Sequence, residues 1–285
     1  MRSTDGHVLV GCPHSPPAAG DTLRELRQLC GAGRRYHTFY DWRMTVRVGL
    51  CGFTMAMADY ALYFPVVEIQ HTFYEPPNDD VMRRWLAVTP SSLEFTMKVW
   101  QLVTHSAASP TYRRMKRQID PAAAPGFFRA SSAVEEGWQR SLRCAGLLSA
   151  TAMLFQSPAS FTPSPEHVDG MRRFFERIER PRARLLWEPR GPAWVREREL
   201  AVALCRDLQL VHVVDPFVTT PERGSPVYYR LHGISGPRHS YSDAELRQLR
   251  AIVAGVDSDE PAYVMFNNLP RAANARAFLR LIDAT

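Results

Sequence analysis

The chain has 285 residues, of which 45% are hydrophobic and 22% are charged, so it is long enough to bury one large core or two modest ones. This composition excludes a disordered or fibrous protein. Thirty-five basic and 29 acidic side chains give a net charge of +6, which permits an anionic partner without requiring one. The sequence shows neither an N-terminal apolar segment nor an apolar run of membrane-spanning length, so we expect a cytoplasmic protein with no membrane partner.

The first 43 residues differ in pattern from the rest of the chain. Prolines and glycines interrupt them, and only residues 23–29 suggest a helical turn. We expect residues 1–43 to be either a flexible N-terminal extension or the product of a start codon upstream of the native one. The folded domain is then expected to span residues 44–285.

The cysteines are five in number and irregularly spaced, and no two of them form a Cys-x-x-Cys pair. A structural zinc site or a disulfide framework is therefore not indicated. Buried free thiols are the expectation for Cys12, Cys30, Cys51, Cys144 and Cys205.

Eight short runs of β-branched or apolar residues follow in chain order, and a stretch of helical periodicity succeeds most of them. Helix starts are marked by Asn78, by Ser164 before Pro165, and by Ser242 with Glu245 three residues later. Eight alternating units favour a closed (β/α)8 TIM-like barrel over an open, doubly wound sheet. The predicted strands cover residues 46–50, 66–70, 95–100, 150–156, 184–188, 211–214, 227–232 and 262–267.

The regular alternation fails in two places, residues 101–130 and residues 215–226. Prolines interrupt the first stretch, and the second has no helical pattern. Long loops on a compact barrel commonly act as lids or binding loops, so we expect both over the carboxyl ends of the strands.

Polar side chains recur at the carboxyl ends of the predicted strands, where the active sites of TIM barrels lie. Glu68 and Gln70 share one face of the second strand, and Arg230 and His232 share one face of the seventh. Such groups are costly to bury unless they are paired or face a cavity, so they form either a buried ion-pair network that plugs the barrel or a pocket. Their position at the same end of every strand favours a pocket.

Eight short segments lie in a characteristic order from about residue 46 to the end of the chain. They are Gly49-Leu50-Cys51-Gly52-Phe53, Val67-Glu68-Ile69-Gln70-His71-Thr72-Phe73-Tyr74, Phe95-Thr96-Met97-Lys98, Thr104-His105, Phe155-Gln156-Ser157-Pro158-Ala159-Ser160-Phe161, Trp187-Glu188-Pro189-Arg190, Tyr229-Arg230-Leu231-His232-Gly233 and Phe266-Asn267-Asn268. On these segments the chain resembles the YecE-like family, domain of unknown function 72. The resemblance implies a TIM-barrel-like fold but supplies no reaction. Cys51 and Phe53 depart from the family pattern, which commonly has Ser and Trp there, and the loop that follows is shorter.

The first functional hypothesis is an enzyme that binds a small phosphorylated or carboxylated molecule. Guanidinium and ammonium groups would bind the anion, and carboxylates with an imidazole would act as general acid and base. The predicted catalytic residues are Glu68, Glu188 and His232. The predicted substrate-binding residues are Gln70, Lys98, Gln156, Arg190, Arg230 and Asn267.

Two alternatives stay open at this point, as do the cofactor, the oligomeric state and whether the protein is an enzyme at all. A metal-dependent hydrolase or isomerase would hold a divalent cation with Glu68, Glu188, Asp215 and His232. A nucleic-acid-binding module would use the basic loop 112–117 for phosphate contacts. The bases of the bound nucleic acid would stack on Tyr112, Trp100 or Phe128.

Overall fold

The computed structural model describes residues 46–219, 227–256 and 260–283. Eight parallel strands pair in chain order, and the last pairs with the first to close a barrel. This arrangement confirms the predicted TIM-barrel-like fold. The strands are β1 (Val46–Cys51), β2 (Val66–Ile69), β3 (Glu94–Lys98), β4 (Ala152–Gln156), β5 (Arg184–Glu188), β6 (Val211–Val214), β7 (Tyr228–Leu231) and β8 (Ala262–Phe266).

Helices connect the strands, and the three predicted helix starts are confirmed. Asn78 and Ser164 accept a backbone N–H at the first turn of their helices, and Ser242 forms a capping box with Glu245. None of the helices in the described ranges is long and apolar enough to cross a membrane. The helices are α1 (Met57–Tyr60), α2 (His71–Tyr74), α3 (Asp79–Val88), α4 (Gln101–Thr104), α5 (Ser132–Leu148), α6 (Pro165–Arg177), α7 (Pro192–Arg196), α8 (Arg198–Asp207), α9 (Asp243–Ala254) and α10 (Arg271–Asp283).

Several strands end earlier than the sequence pattern predicts. β2 ends at Ile69 and β7 ends at Leu231, so Gln70 and His232 follow their strands instead of closing them. Gln70 is the N-cap residue of α2. Gln70 and His232 therefore lie just past the strands, at the carboxyl end of the barrel, which we call the mouth.

The alternation of side chains along the strands produces two apolar clusters. The larger one lies between the strands and the helices and contains an aromatic group built from Phe128, Trp138, Phe155 and Phe174. The smaller one faces the barrel interior. It comprises Cys51, Val66, Ala152, Leu154, Leu186, Val213, Tyr228, Tyr263 and Met265.

The polar side chains of the mouth continue the interior rows of this smaller cluster. Side chains on one strand face recur every second residue, so each polar residue lies two positions nearer the carboxyl end of its strand than a residue of the smaller cluster. The pairs are Val66 and Glu68, Leu154 and Gln156, Leu186 and Glu188, and Tyr228 and Arg230. The barrel interior is therefore apolar in its lower part, towards the amino ends of the strands, and polar at the mouth.

The first predicted loop, residues 101–130, is more ordered than expected. It begins with the buried helix α4 and continues through two short 3-10 segments, Pro110–Arg114 and Pro121–Ala123. Gly126 has a φ of +87° and packs against the backbone of His105, where a Cβ atom would lie 2.2 Å from the carbonyl carbon. Such an approach is possible only for glycine, so the beginning and the end of this loop pack closely against each other.

Some expectations fall outside the described part of the chain. The extension over residues 1–43 lies there, as do Cys12, Cys30 and most of the loop 215–226. The other three cysteines, Cys51, Cys144 and Cys205, are free and buried, as predicted.

Candidate functional site

Arg230 is the centre of the polar layer at the mouth, and its side chain is fully buried. Its Nε lies 3.1 Å from Glu68 Oε2, and its Nη2 lies 2.8 Å from Glu68 Oε1. Nη1 donates to Glu188 Oε2 on the opposite side. Charge-assisted and bidentate hydrogen bonds between a guanidinium and carboxylates are among the strong hydrogen bonds in proteins, so they compensate these buried charges. We call Glu68, Glu188 and Arg230 the inner layer.

Glu68 is satisfied by neutral donors as well. The Tyr228 hydroxyl lies 2.9 Å from Glu68 Oε2, and the Gln70 amide donates to Oε1. Tyr228 also lies 2.9 Å from the hydroxyl of Thr96. Sequence reasoning missed Tyr228 and Thr96. Each of them lies two residues before a predicted site residue on the same strand face, and that spacing was the available signal.

Glu188 joins the inner layer to the solvent-facing side of the mouth. Its Oε1 lies 2.7 Å from His232 Nε2 and 3.0 Å from Arg190 Nη1. The Glu188 side chain is 4% exposed, whereas that of His232 is 20% exposed and that of Arg190 is 39% exposed. Burial would raise the pKa of Glu188, but the charges of Arg230, His232 and Arg190 hold that pKa well below its usual value. Glu188 is therefore a carboxylate at neutral pH.

His232 is fixed from three directions. Its backbone N–H donates to Asp215 Oδ2 at 2.9 Å, and its Nδ1 lies 3.0 Å from the Asn267 amide nitrogen. With that amide donating to Nδ1, Nε2 carries the proton and donates to Glu188. Arg190 Nη1 lies 2.7 Å from Nε2, and this is a close approach of two donors that both point at Glu188 Oε1. The imidazole is thus oriented by partners on three separate strand ends.

Lys98 has an environment unlike that of an ordinary lysine. It is buried, and its Nζ lies 2.5 Å from Gln156 Oε1 and 3.7 Å from the centre of the Phe73 ring. Burial, together with the charge of Arg230, lowers the pKa of Lys98 to about 7, although the nearby carboxylates oppose that shift. Lys98 therefore has a neutral amine available at physiological pH, unlike an ordinary lysine. Nothing in the sequence pattern indicated that Phe73 would lie beneath this amine.

The structure brings all nine predicted site residues to the mouth, in two groups. A continuous chain of hydrogen bonds runs through Gln70, Glu68, Arg230, Glu188, Arg190, His232 and Asn267. Lys98 and Gln156 form the second group. The inner layer is buried, as the interpretation of a buried ion-pair network expects, whereas the side chains of a rim above it are partly exposed. This rim consists of Gln70, Gln156, Arg190, His232 and Asn267.

The predicted metal site is not formed. Among the described residues, no three or more His, Cys, Asp and Glu side chains are grouped so that they could hold a metal ion. The physical reason is that the Arg230 guanidinium lies between the two carboxylates, Glu68 and Glu188, where a cation would have to bind. The carboxylate of Asp215 instead accepts the backbone N–H groups of Phe217 and His232.

The predicted stacking surface of the nucleic-acid alternative is wrong for two of its three aromatic residues. Phe128 is 1% exposed in the aromatic group behind the barrel, and Trp100 is 6% exposed. Tyr112 is half-buried, and its hydroxyl donates to the carbonyl of His105. Apolar packing of large rings against the helices outweighs the surface position that a loop pattern suggests.

The basic run in residues 112–117 is exposed, as expected of a loop. The guanidinium of Arg114 lies 3.6 Å from the centre of the Tyr74 ring, and Arg117 forms an ion pair with Glu136 at 2.8 Å. Two of the basic side chains in this run are therefore engaged with the protein surface.

Comparisons with known proteins place this chain in a family. Among proteins with curated descriptions, none matches the chain. A DUF72 family protein from Enterococcus faecalis V583 is 18% identical with a TM-score of 0.63, over 84% of this chain and 96% of that one. A DUF72 family protein from Thermotoga maritima MSB8 is 23% identical with a TM-score of 0.59, over 84% and 99%. A xylose isomerase domain containing protein from Salmonella typhimurium LT2 is 14% identical with a TM-score of 0.52, over 84% and 96%.

The three solved structures resemble this chain in fold. The family model described as "Protein of unknown function DUF72" matches residues 49–285, which include all eight strands except the first residues of β1. The predicted resemblance is therefore confirmed, and the chain belongs to the DUF72 family.

Proposed function

We propose that the mouth of the barrel is the active site of an enzyme that binds a small phosphorylated or carboxylated molecule and acts on it by acid–base chemistry. The observation that carries the proposal is the contact between Glu188, His232 and Arg190, whose polar atoms lie within 3.0 Å of one another where the buried layer meets solvent. A titratable imidazole and a guanidinium, both partly exposed and both held by one buried carboxylate, supply a proton carrier and an anion ligand side by side.

The charge balance of the mouth favours an anion. Arg190, Arg230 and Lys98 face the two carboxylates of the inner layer, so the cluster has one positive charge in excess when Lys98 is protonated and is balanced when Lys98 is neutral. The sequence predicted that both Arg190 and Arg230 bind the substrate anion. Arg230 donates its hydrogen bonds to Glu68 and Glu188 instead, so Arg190 alone keeps that role. Low-dielectric walls around such a cluster strengthen its attraction for an anion.

The catalytic roles divide according to burial and proton state. His232 is the general acid and base, since its imidazole is partly exposed and oriented on both nitrogens. Glu188 is a positioning residue that holds the imidazole, because its low pKa makes it a poor proton donor. Glu68 is fully buried and positions Arg230. Gln70, Gln156 and Asn267 supply neutral hydrogen-bonding groups around the substrate.

The test is a calorimetric titration of the full chain with inorganic phosphate at neutral pH. Arg190→Met is expected to weaken phosphate binding about 10- to 100-fold, because a hydrogen bond to a charged group contributes about 1.5–3 kcal/mol. Arg83→Met removes an exposed arginine that pairs with Asp80 on α3, and it should bind phosphate like the unaltered protein.

Two results would contradict the proposal. One is unchanged phosphate affinity in Arg190→Met. The other is tight, salt-dependent oligonucleotide binding that is lost when the basic side chains of loop 112–117 are neutralised, a result that would favour the nucleic-acid alternative.

A further inference from the structure

Lys98 is the one member of the predicted site that the acid–base mechanism leaves without a chemical role. Thr96, two residues earlier on the same strand face, reaches Tyr228 in the barrel interior. Because side chains repeat every second residue along a strand, Lys98 extends from the end of β3 over the inner layer. In the described ranges its Nζ meets an amide oxygen and an aromatic face, and it forms no ion pair with a carboxylate.

We propose that Lys98 is a catalytic nucleophile that forms a Schiff base with an aldehyde or ketone carrying a phosphate or carboxylate group. The inference rests on the proposed function, since Arg190 would bind the anionic end of the same molecule. It goes further by naming the reactive carbonyl group and the atom that attacks it, Nζ of Lys98.

The reaction balances without a redox partner. The lone pair of the neutral amine attacks the carbonyl carbon, a C–N bond forms, and the C=O π electrons move to oxygen. The oxygen takes one proton from Nζ and a second from the surroundings, and it leaves as water. The product is a protonated Schiff base, whose positive charge draws electrons from the adjacent C–H or C–C bond. His232, in the same mouth, is the base that would accept the proton released there.

The surroundings of Nζ fit both the attacking amine and the cation that forms. The pKa of about 7 provides a neutral amine at physiological pH, which is the form that attacks a carbonyl carbon. The Phe73 ring and the Gln156 carbonyl then face the positive charge of the Schiff base with electron-rich surfaces. Both contacts are in place before any ligand binds, so no reorganisation is needed when the charge develops.

Charged and titratable groups approach Lys98 from several elements. Arg230 from β7 disfavours the ammonium, whereas Glu68 from β2 and Glu188 from β5 favour it. His105 follows α4 and packs edge-on against Phe73 at 4.9 Å, and burial with the charge of Lys98 lowers the pKa of its imidazole to about 3. Burial raises the pKa of the Cys51 thiol at the end of β1. His105 and Cys51 are therefore neutral at physiological pH, and the two carboxylates and Arg230 set the charge around the amine.

The chain offers an internal comparison, because its two lysines are Lys98 and Lys116. Lys116 is exposed in the basic loop. The full chain would be incubated at pH 7 with glycolaldehyde phosphate and sodium cyanoborohydride, which reduces a Schiff base to a stable secondary amine, and the adducts would be mapped by peptide mass spectrometry. We expect Lys98 to be modified about tenfold or more faster than Lys116, since lysine amines in water are protonated at neutral pH.

Two single-residue variants test whether the adduct forms on Lys98. Lys116→Arg should keep the adduct at Lys98, and Lys98→Met should lose it. The rate at Lys98 should fall as the pH is lowered from 7 to 5, because the amine becomes protonated. Should Lys98→Met fail to fold, the ratio of the two lysines in the unaltered chain still decides the question.

Equal or preferential modification of Lys116 would overturn the inference. If phosphate binds through Arg190 while Lys98 stays unmodified, the nucleophile is wrong and the proposed function stands. If glycolaldehyde without phosphate modifies Lys98 as fast as glycolaldehyde phosphate does, the nucleophile is upheld and the anion site of the proposed function is contradicted.

Discussion

Replacing Arg230 by methionine is expected to lower the free energy of unfolding by about 3–5 kcal/mol, the usual cost of removing one partner from a buried ion pair. Arg230 is fully buried and compensates Glu68 and Glu188 at once. Its loss leaves two carboxylates in a layer that solvent reaches poorly. Urea denaturation of the full chain, followed by circular dichroism, measures the change.

Two further variants show whether the loss comes from buried charge. Arg83→Met removes an exposed arginine with an ion-pair partner and should change stability by about 1 kcal/mol or less. The triple variant Arg230→Met, Glu68→Gln, Glu188→Gln removes the orphaned charges and should recover at least half of the lost stability. A loss below about 1 kcal/mol in Arg230→Met alone would mean that water rehydrates the carboxylates, so that the inner layer is not sealed.

Glu188→Gln is expected to weaken the fold while tightening anion binding. Glu188 accepts hydrogen bonds from three groups that carry or can carry positive charge, Arg230, Arg190 and His232, so its neutralisation should cost about 1.5–3 kcal/mol of stability. The same change removes a negative charge next to Arg190. With an effective dielectric constant of about 20, a charge a few ångströms away is worth more than 1 kcal/mol, so phosphate should bind about tenfold more tightly.

Lower stability and tighter phosphate binding have opposite signs, so a variant that is merely damaged would not show both. Asp80→Asn neutralises an exposed carboxylate on α3 and should leave both the stability and the phosphate affinity nearly unchanged. Weaker phosphate binding in Glu188→Gln, measured by calorimetry on protein shown to be folded, would contradict an anion site beside Arg190.

The barrel could be predicted because its strands carry a strong local signal. Each run of β-branched and apolar residues forms a largely buried parallel strand. The caps at Asn78, Ser164 and Ser242 mark helix starts by local hydrogen bonding alone. The strand ends were less predictable. Gln70 and His232 continue the alternation of their strands, yet each lies past the last paired residue, where a loop begins.

The residues of the site could be predicted from their position, but their division into layers could not. Arg190 and Arg230 are the same residue type at the carboxyl ends of β5 and β7, and only the barrel geometry buries one and leaves the other partly exposed. Phe73 comes under Lys98 through the packing of α2 on the barrel, a contact between residues 25 positions apart that no local pattern encodes. The metal-binding expectation failed for the same reason, since residue types alone do not show that a guanidinium separates two carboxylates.

A crystal structure of the full chain soaked with phosphate at neutral pH tests the central claim, an anion-binding acid–base site at the barrel mouth, most directly. We expect a phosphate ion above the inner layer, within hydrogen-bonding distance of Arg190 and facing His232 and Lys98. Phosphate bound only against the basic loop 112–117, with none at the mouth, would contradict the claim.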